Sequence, residues 1–157
     1  MFQGKLIGIH LGARRSEPLH SFTEVEALAG RGLLGDRYCA KEGTFSAKEG
    51  PDREVTLIES EALTGLQRDY GITLTPGQVR RNLLTQDVPL NHLVGREFRI
   101  GEGEVRLRGI KLCEPCKHLE KLTMVGVMKG LTHRGGLRAQ IVRGGKLRVG
   151  DTITLVD

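Results

Sequence analysis

Tryptophan is absent from this chain, and phenylalanine and tyrosine together make up only 4% of its 157 residues. Stacking platforms for single-stranded nucleic acid are therefore poorly supplied, which disfavours an RNA-binding barrel and leaves nucleic acid an unexpected partner. The net charge of +5 is moderate and spread along the chain, so it suits an anionic ligand as well as nucleic acid and decides neither. Long apolar runs are also missing. Nothing approaches the ~18 consecutive apolar residues of a membrane helix. The start, Met1 to His10, lacks the apolar core and small-residue cleavage site of a secretion signal. Cysteine is scarce: three thiols cannot all pair with one another, and two of them, Cys113 and Cys116, lie three positions apart. A secreted disulfide scaffold is the wrong class for such a count, and a reducing cytoplasm is the expected compartment.

What is present is glycine, 22 residues of it, punctuating short extended segments as a β-rich fold requires. Strands are expected at residues 4–10, 22–29, 54–59, 97–100, 104–108, 138–143, 146–149 and 152–156. Gly101-Glu102-Gly103 and Gly144-Gly145 read as hairpin turns. Ser60 is placed to cap a helix over 61–70 that Gly71 stops. A short turn ends at Gly95, a second helix runs on from the cysteine segment to about Leu131, and residues 41–52 read as a loop. Many short strands with few helices point to a barrel rather than a parallel sheet. One domain over 1–157 is expected, since that length can bury a real core.

The segment Arg108-Gly-Ile-Lys-Leu-Cys113-Glu-Pro-Cys116-Lys-His118 carries the chemistry. Upstream, Val105 and Leu107 alternate with Arg106 and Arg108, as in a half-buried strand. Downstream, Leu119, Leu122 and Val125 recur at helical spacing. The thiols thus sit where a strand hands over to a helix. Pro115 suits the first helical position, because its missing N–H would have had no intrahelical partner. Cys116 would then lie in the first turn, at the positive end of the helix dipole, with Lys117 and His118 adding positive potential. Such surroundings favour the thiolate, the form that attacks sulfur or binds a soft metal. The expectation is a reactive sulfur at Cys116 facing a cationic cavity inside a small barrel.

Two further stretches are candidates. Gly30-Arg-Gly32-Leu-Leu-Gly35 matches G-x-G-x-x-G, but no helical apolar period follows it, so a dinucleotide site lacks its βαβ context. As a glycine turn carrying Asp36 and Arg37 it could instead wall a pocket. Arg80-Arg81-Asn82 opens an apolar segment, and adjacent guanidinium groups could clamp a phosphate or carboxylate.

In this order and spacing, the segments resemble the MOSC family, found at the C-terminus of molybdenum-cofactor sulfurases and as stand-alone bacterial proteins. The resemblance is carried by Gly32-Leu-Leu-Gly-Asp-Arg-Tyr38, Arg81-Asn82-Leu83, Leu93-Val94-Gly95 with Phe98 and Ile100-Gly101, Cys113-Glu-Pro-Cys116, and Gly144-Gly145 through Val149-Gly150-Asp151. Cys113 stands where the family often has a basic residue, and Tyr38 where a histidine often follows. The resemblance implies a mainly β fold, a closed MOSC-type β-barrel with a few short helices. It implies that Cys116 carries sulfane sulfur or ligates molybdenum of the molybdenum cofactor (molybdopterin), with Cys113 as a secondary thiol. It also implies that Arg80, Arg81, Asn82, Asp36, Arg37, Lys117, His133 and Arg134 contact the phosphate-bearing pterin. A sulfur donor or redox partner protein follows from the same resemblance, as does a sulfurase-like or molybdoenzyme activity. Pyridoxal phosphate belongs to a separate domain of the sulfurases, and no lysine here is a candidate for its Schiff base.

Alternatives remain. Cys-x-x-Cys could be a dithiol switch, although the thioredoxin-like βαβ context is missing. Cys113 and Cys116 could bind structural zinc with His118 and Cys39, but only one close ligand pair is visible. Cys39 otherwise reads as a small apolar residue, and His10, His20 and His92 as surface or satisfied core groups.

Overall fold

The computed structural model describes residues 1–14, 16–40 and 50–156; of the loop expected over 41–52, residues 41–49 lie outside that range. The elements in chain order are β1 (Gln3–Leu11), β2 (His20–Phe22), β3 (Glu24–Leu28), β4 (Gly32–Leu33), α1 (Arg37–Ala40), β5 (Val55–Glu59), α2 (Ser60–Tyr70) and β6 (Leu83–Gln86). After a 3₁₀ turn at Leu90–Leu93 come β7 (Glu97–Ile100), β8 (Val105–Leu112), α3 (Lys117–Leu122), α4 (Val127–Gly130), β9 (Leu137–Arg143), β10 (Gly145–Arg148) and β11 (Thr152–Leu155).

The fold is mainly β. Strands run β11-β7-β8-β9-β5-β6-β1, and β1 pairs back onto β11, which closes a seven-stranded barrel. The long β1 makes closure possible by serving three partners: residues 3–5 pair with β11, 5–9 with β6 and 9–11 with β2. Its register shifts between Leu6 and Gly8, a bulge that bends the strand between these partners. The β5–β6 pair is parallel and is crossed over by α2; the other barrel pairs are antiparallel.

Alternation decides the two faces. Val55 and Leu57 of β5, Phe98 and Ile100 of β7, Val105 and Leu107 of β8, and Leu137, Ala139 and Ile141 of β9 fill the lumen as one apolar cluster. Each large side chain fully buried there contributes about 1.5–3 kcal/mol. A second cluster covers the outside of β5, where Ile58 meets Ala62 and Leu66 of α2, Leu119 of α3, and Val79, Val127 and Leu131. The lumen is solid packing, so a ligand cavity belongs on the barrel's outer flank. That corrects the expectation of a cavity inside it.

Helix ends depart from the sequence reading in three places. Gly71 does stop α2, in the left-handed conformation (φ 67°) with its N–H on the Gln67 carbonyl, but Ser60 is the first helical residue and Glu59 sits at the cap. The helix expected to reach Leu131 is broken between α3 and α4, because Glu120 Oε1 accepts the backbone N–H groups of Gly126 (3.0 Å) and Met128 (3.1 Å). Cys116 is the cap residue of α3 rather than part of its first turn, and Pro115 precedes the helix.

The pair Gly144-Gly145 does not make a hairpin with β9. It carries the chain out of the barrel, and β10 pairs antiparallel with β3 in a second, three-stranded sheet. A Cβ on Gly144 would lie 2.5 Å from the Ala27 carbonyl oxygen, so only glycine allows that crossing. Among the described residues, no helix is long and apolar enough to cross a membrane.

Candidate functional site

Thr56 of β5 and Arg138 of β9 are register partners on the barrel's outer face, alternating with the lumen residues Val55, Leu57, Leu137 and Ala139. Over them sit α1, the turn at residues 76–80, and the segment that leaves β8 at Leu112. These elements enclose a small cavity of ≈ 50 Å³ whose lining includes Arg37, Tyr38, Thr56, Arg80, Arg81, Arg138, Cys113 and Cys116. The fold thus brings both thiols of the Cys-x-x-Cys segment to one hollow with four arginines, which lie 22 (Arg138), 32 (Arg81), 33 (Arg80) and 76 (Arg37) positions from the nearer thiol.

The thiol segment is held from three sides. Cys113 donates its N–H to the Gly136 carbonyl (2.7 Å), and its own carbonyl accepts Arg81 Nη2 (3.0 Å). Glu114 accepts the His133 N–H (2.8 Å) and pairs with the His133 ring (3.1 Å). A Cβ on Gly135 would lie 2.5 Å from the Cys113 carbonyl oxygen, so glycine is required for this close approach. Cys113 is 2% exposed, whereas Cys116 is half-buried and touches the second apolar cluster. All three cysteines are free thiols.

The neighbours Arg80 and Arg81 are equally buried and have opposite fates. Arg81 spends its donors on backbone carbonyls: Nε on Gly135 (2.8 Å), Nη1 on Val79 (3.0 Å) and Nη2 on Cys113 (3.0 Å). Arg80, 8% exposed, leaves Nη1 buried without a hydrogen-bond partner. Its backbone is left-handed (φ 60°), and its carbonyl accepts Arg37 Nη2 (3.3 Å). Burial, then the nearby Arg37 and Arg81 charges, pull the Arg80 guanidinium down to about 10 against the opposing pull of Tyr38 and Asp36. It remains a cation at neutral pH.

Asp36 is fully buried and works as a brace: it accepts Arg37 Nη1 (3.0 Å) and the N–H of Gly12 (3.1 Å). Asn82 is equally internal, bonded to Thr56 and to the His10 carbonyl. Lys117, His133 and Arg134 stand outside the cavity lining. His133 is tied to Glu114, and Arg134 to Asp69 (3.1 Å) and the Gly130 carbonyl (2.8 Å). Of the eight residues expected to contact a cofactor, then, Arg37, Arg80 and Arg81 line the cavity. The four-ligand zinc set is not assembled: among the described residues, no three His, Cys, Asp or Glu side chains gather as a metal-holding group. The glycines at 30–35 lead into a two-residue strand and the four-residue α1, not a βαβ unit.

Sequence reasoning missed Arg138, Tyr38 and Thr56. Arg138 donates to the Tyr38 hydroxyl (3.2 Å) and the Asp52 carbonyl (3.3 Å). Burial opposes its charge, but Cys113, Tyr38 and Asp52 outweigh that and hold it above its usual pKa. The only signal available was its outward position on β9 between lumen residues.

Residues 44–154 match the family model of the MOSC domain. The chain belongs to the MOSC family. Solved structures with the same fold include the YuaD protein from Bacillus subtilis, at TM-score 0.78 and 15% identity over 98% of this chain and 97% of that one. YiiM from Geobacillus stearothermophilus follows at 0.73 and 15% identity, over 98% and 75%. YiiM from Escherichia coli follows at 0.70 and 18% identity, over 100% and 70%. At these identities the likeness is one of fold. No curated relative matches. The MOSC family is associated with the molybdenum cofactor and, at family level, with sulfur carriage.

Proposed function

We propose that this MOSC protein is a sulfur carrier associated with the molybdenum cofactor, with Cys116 as the working thiol. The observation that carries this is Arg80, which lines a cavity that two thiols also line and whose Nη1 is a buried cationic donor without a partner. Leaving a buried donor unmade costs about 1–3 kcal/mol, more when it is charged. The left-handed backbone at the same residue costs about 1–3 kcal/mol again. Two unfavourable features at one cavity-lining residue support a role in holding an anion.

The residues suit parts of the family's cofactor: a soft thiol suits sulfur or molybdenum, and a guanidinium suits phosphate or another oxyanion, while a hollow of ≈ 50 Å³ takes one such group and leaves the pterin itself outside. When bound to the chain, the cofactor would supply a soft metal centre able to accept sulfur or to take a thiolate ligand. The chain's own contribution is positioning. Asp36 orients Arg37, Arg37 steadies the Arg80 carbonyl, and Arg81 fixes the Cys113 carbonyl and with it the thiol segment. Cys116 is preferred to Cys113 because a half-buried sulfur can meet a partner and a 2% exposed one cannot without rearrangement.

A second reading, a dithiol switch, draws on the same cavity, which both thiols line. The test is mass spectrometry of the protein after exposure to a cysteine desulfurase with cysteine, together with molybdenum and pterin analysis after co-production with the cofactor. One added sulfur on Cys116, absent in Cys116→Ser and retained in Cys113→Ser, is the expected result. Equal loss in both variants would transfer support to the switch. Neither sulfur nor cofactor on the wild-type chain would overturn the carrier.

A further inference from the structure

The cavity that Arg80 lines is small. At ~10–15 Å³ for each water-sized position, its ≈ 50 Å³ takes a group of roughly three to five heavy atoms. That is the size of a single tetrahedral oxyanion. Its cationic lining (Arg37, Arg80, Arg81 and Arg138) calls for negative charge, and Arg80 Nη1 calls for an acceptor oxygen. A phosphate or sulfate would satisfy both demands, but the cavity offers two thiols as well, and these would have nothing to do. An oxyanion that itself carries a transferable sulfur uses every feature of the hollow.

We propose that the pocket takes a small sulfur oxyanion, thiosulfate being the type, as the sulfur donor to Cys116. This rests on the sulfur-carrier reading and adds the class of donor. The sulfonate end sits on Arg80 with its outer sulfur toward the thiol. The Cys116 thiolate, its proton released to solvent, attacks that outer sulfur. A bond forms between Cys116 Sγ and the sulfane sulfur, the sulfur–sulfur bond of thiosulfate breaks, and its electron pair leaves on sulfite. A cysteine persulfide and one sulfite are the products, so no external oxidant or reductant is needed. The Arg80 charge favours both the arriving anion and the departing sulfite, which keeps its negative charge.

The experiment uses the full chain, reduced and freed of small molecules, with thiosulfate as one donor and, as the other, a neutral organic trisulfide followed by a neutral thiol, which cleaves the mixed trisulfide formed on Cys116 to the persulfide and a disulfide. With thiosulfate, the wild-type protein should gain one sulfur on Cys116 and release an equal amount of sulfite, at a rate that saturates. In Arg80→Gly, a substitution that suits the left-handed backbone, loading at low thiosulfate should fall roughly ten- to a hundredfold, the worth of one charged hydrogen bond. Loading by the neutral trisulfide, which makes no anion contact, should fall by far less than loading by thiosulfate. Thermal unfolding of both proteins excludes a folding defect as the cause. Loading of wild-type Cys116 by trisulfide but not by thiosulfate would overturn the donor class and leave the carrier standing. Loading by neither would remove both. Equal thiosulfate rates in wild type and Arg80→Gly would overturn the role given to the pocket.

Discussion

A larger and a smaller basic hollow formed by the described residues differ in what surrounds the charge. The larger, ≈ 500 Å³, is edged by Lys5, Arg99, Lys146 and Arg148. Its cations stay nearer water: Lys146 and Arg148 share Glu24 at 3.6 and 3.5 Å, Lys5 meets the Thr152 hydroxyl at 3.4 Å, and the half-buried Arg99 leaves its Nε without a partner. The smaller, ≈ 50 Å³, is edged by arginines that are largely buried, one of them with a donor left over. Solvated charge is inexpensive and common on a protein surface, so a basic hollow alone says little. An unused buried donor occurs at Arg99 as well, so what distinguishes the candidate site is a guanidinium that joins such a donor to 8% exposure of the whole residue and a cavity shared with two thiols. Arg81 sharpens the contrast from inside the same hollow, since its burial is fully compensated by three carbonyls.

The largest effect should come from Arg81. Arg81→Met strands the carbonyls of Val79, Cys113 and Gly135, and at about 1–3 kcal/mol for each unsatisfied buried group the loss should be several kcal/mol. Denaturant unfolding should show the midpoint falling sharply; an unchanged midpoint would mean that Arg81 is not the brace described.

Arg80→Gly should do the opposite. Removing an unpartnered buried cation and a left-handed non-glycine backbone should leave stability unchanged or raise it by ~1–2 kcal/mol, while anion-dependent chemistry is lost. A clear drop in stability would show that the guanidinium has structural work and would erase the distinction from Arg81.

His10 tests whether an unpartnered buried group away from the cavity behaves as a plain folding cost. Its Nδ1 has no partner and the residue is buried. Burial lowers its pKa from 6.5, against the opposing hydrogen bond at Asn82. The unfolded chain takes a proton below 6.5 and the folded chain resists it, so the stability linked to His10 is complete above 6.5 and declines as pH falls below that value toward the lowered folded pKa. A pH series of unfolding midpoints should show this decline and show it reduced in His10→Gln; identical profiles would remove His10 as the cause. The smallest effect belongs to the larger hollow, where replacing Lys146 and Arg148 by Ala should change stability by less than ~1 kcal/mol and leave sulfur loading of Cys116 untouched.

Much of the frame was legible in the sequence. Short extended segments set off by turn residues located β1, β5, β7 and β9, period-two alternation located β8, Gly71 marked the end of α2, and the thiols do stand between a strand and a helix. What was not legible depends on partners far away in sequence. Nothing local separates Arg80 from Arg81, because their roles are decided by Cys113 and Gly135 across 32 and 54 positions. The break between α3 and α4 turns on where the Glu120 carboxylate reaches, and β10 leaves β9 because Gly144 can cross the Ala27 backbone. Arg138 enters the site through its register with Thr56, a property of the closed sheet rather than of either segment.

The central claim, that Cys116 shares its cavity with an anion-seeking Arg80, is tested most directly by alkylation rates at Cys116 with iodoacetate and with the neutral iodoacetamide. Relative to a free cysteine peptide, the wild-type protein should favour the anionic reagent, and Arg80→Gly should lose that preference while its rate with iodoacetamide stays the same. The same ratio of rates in both proteins would contradict the account.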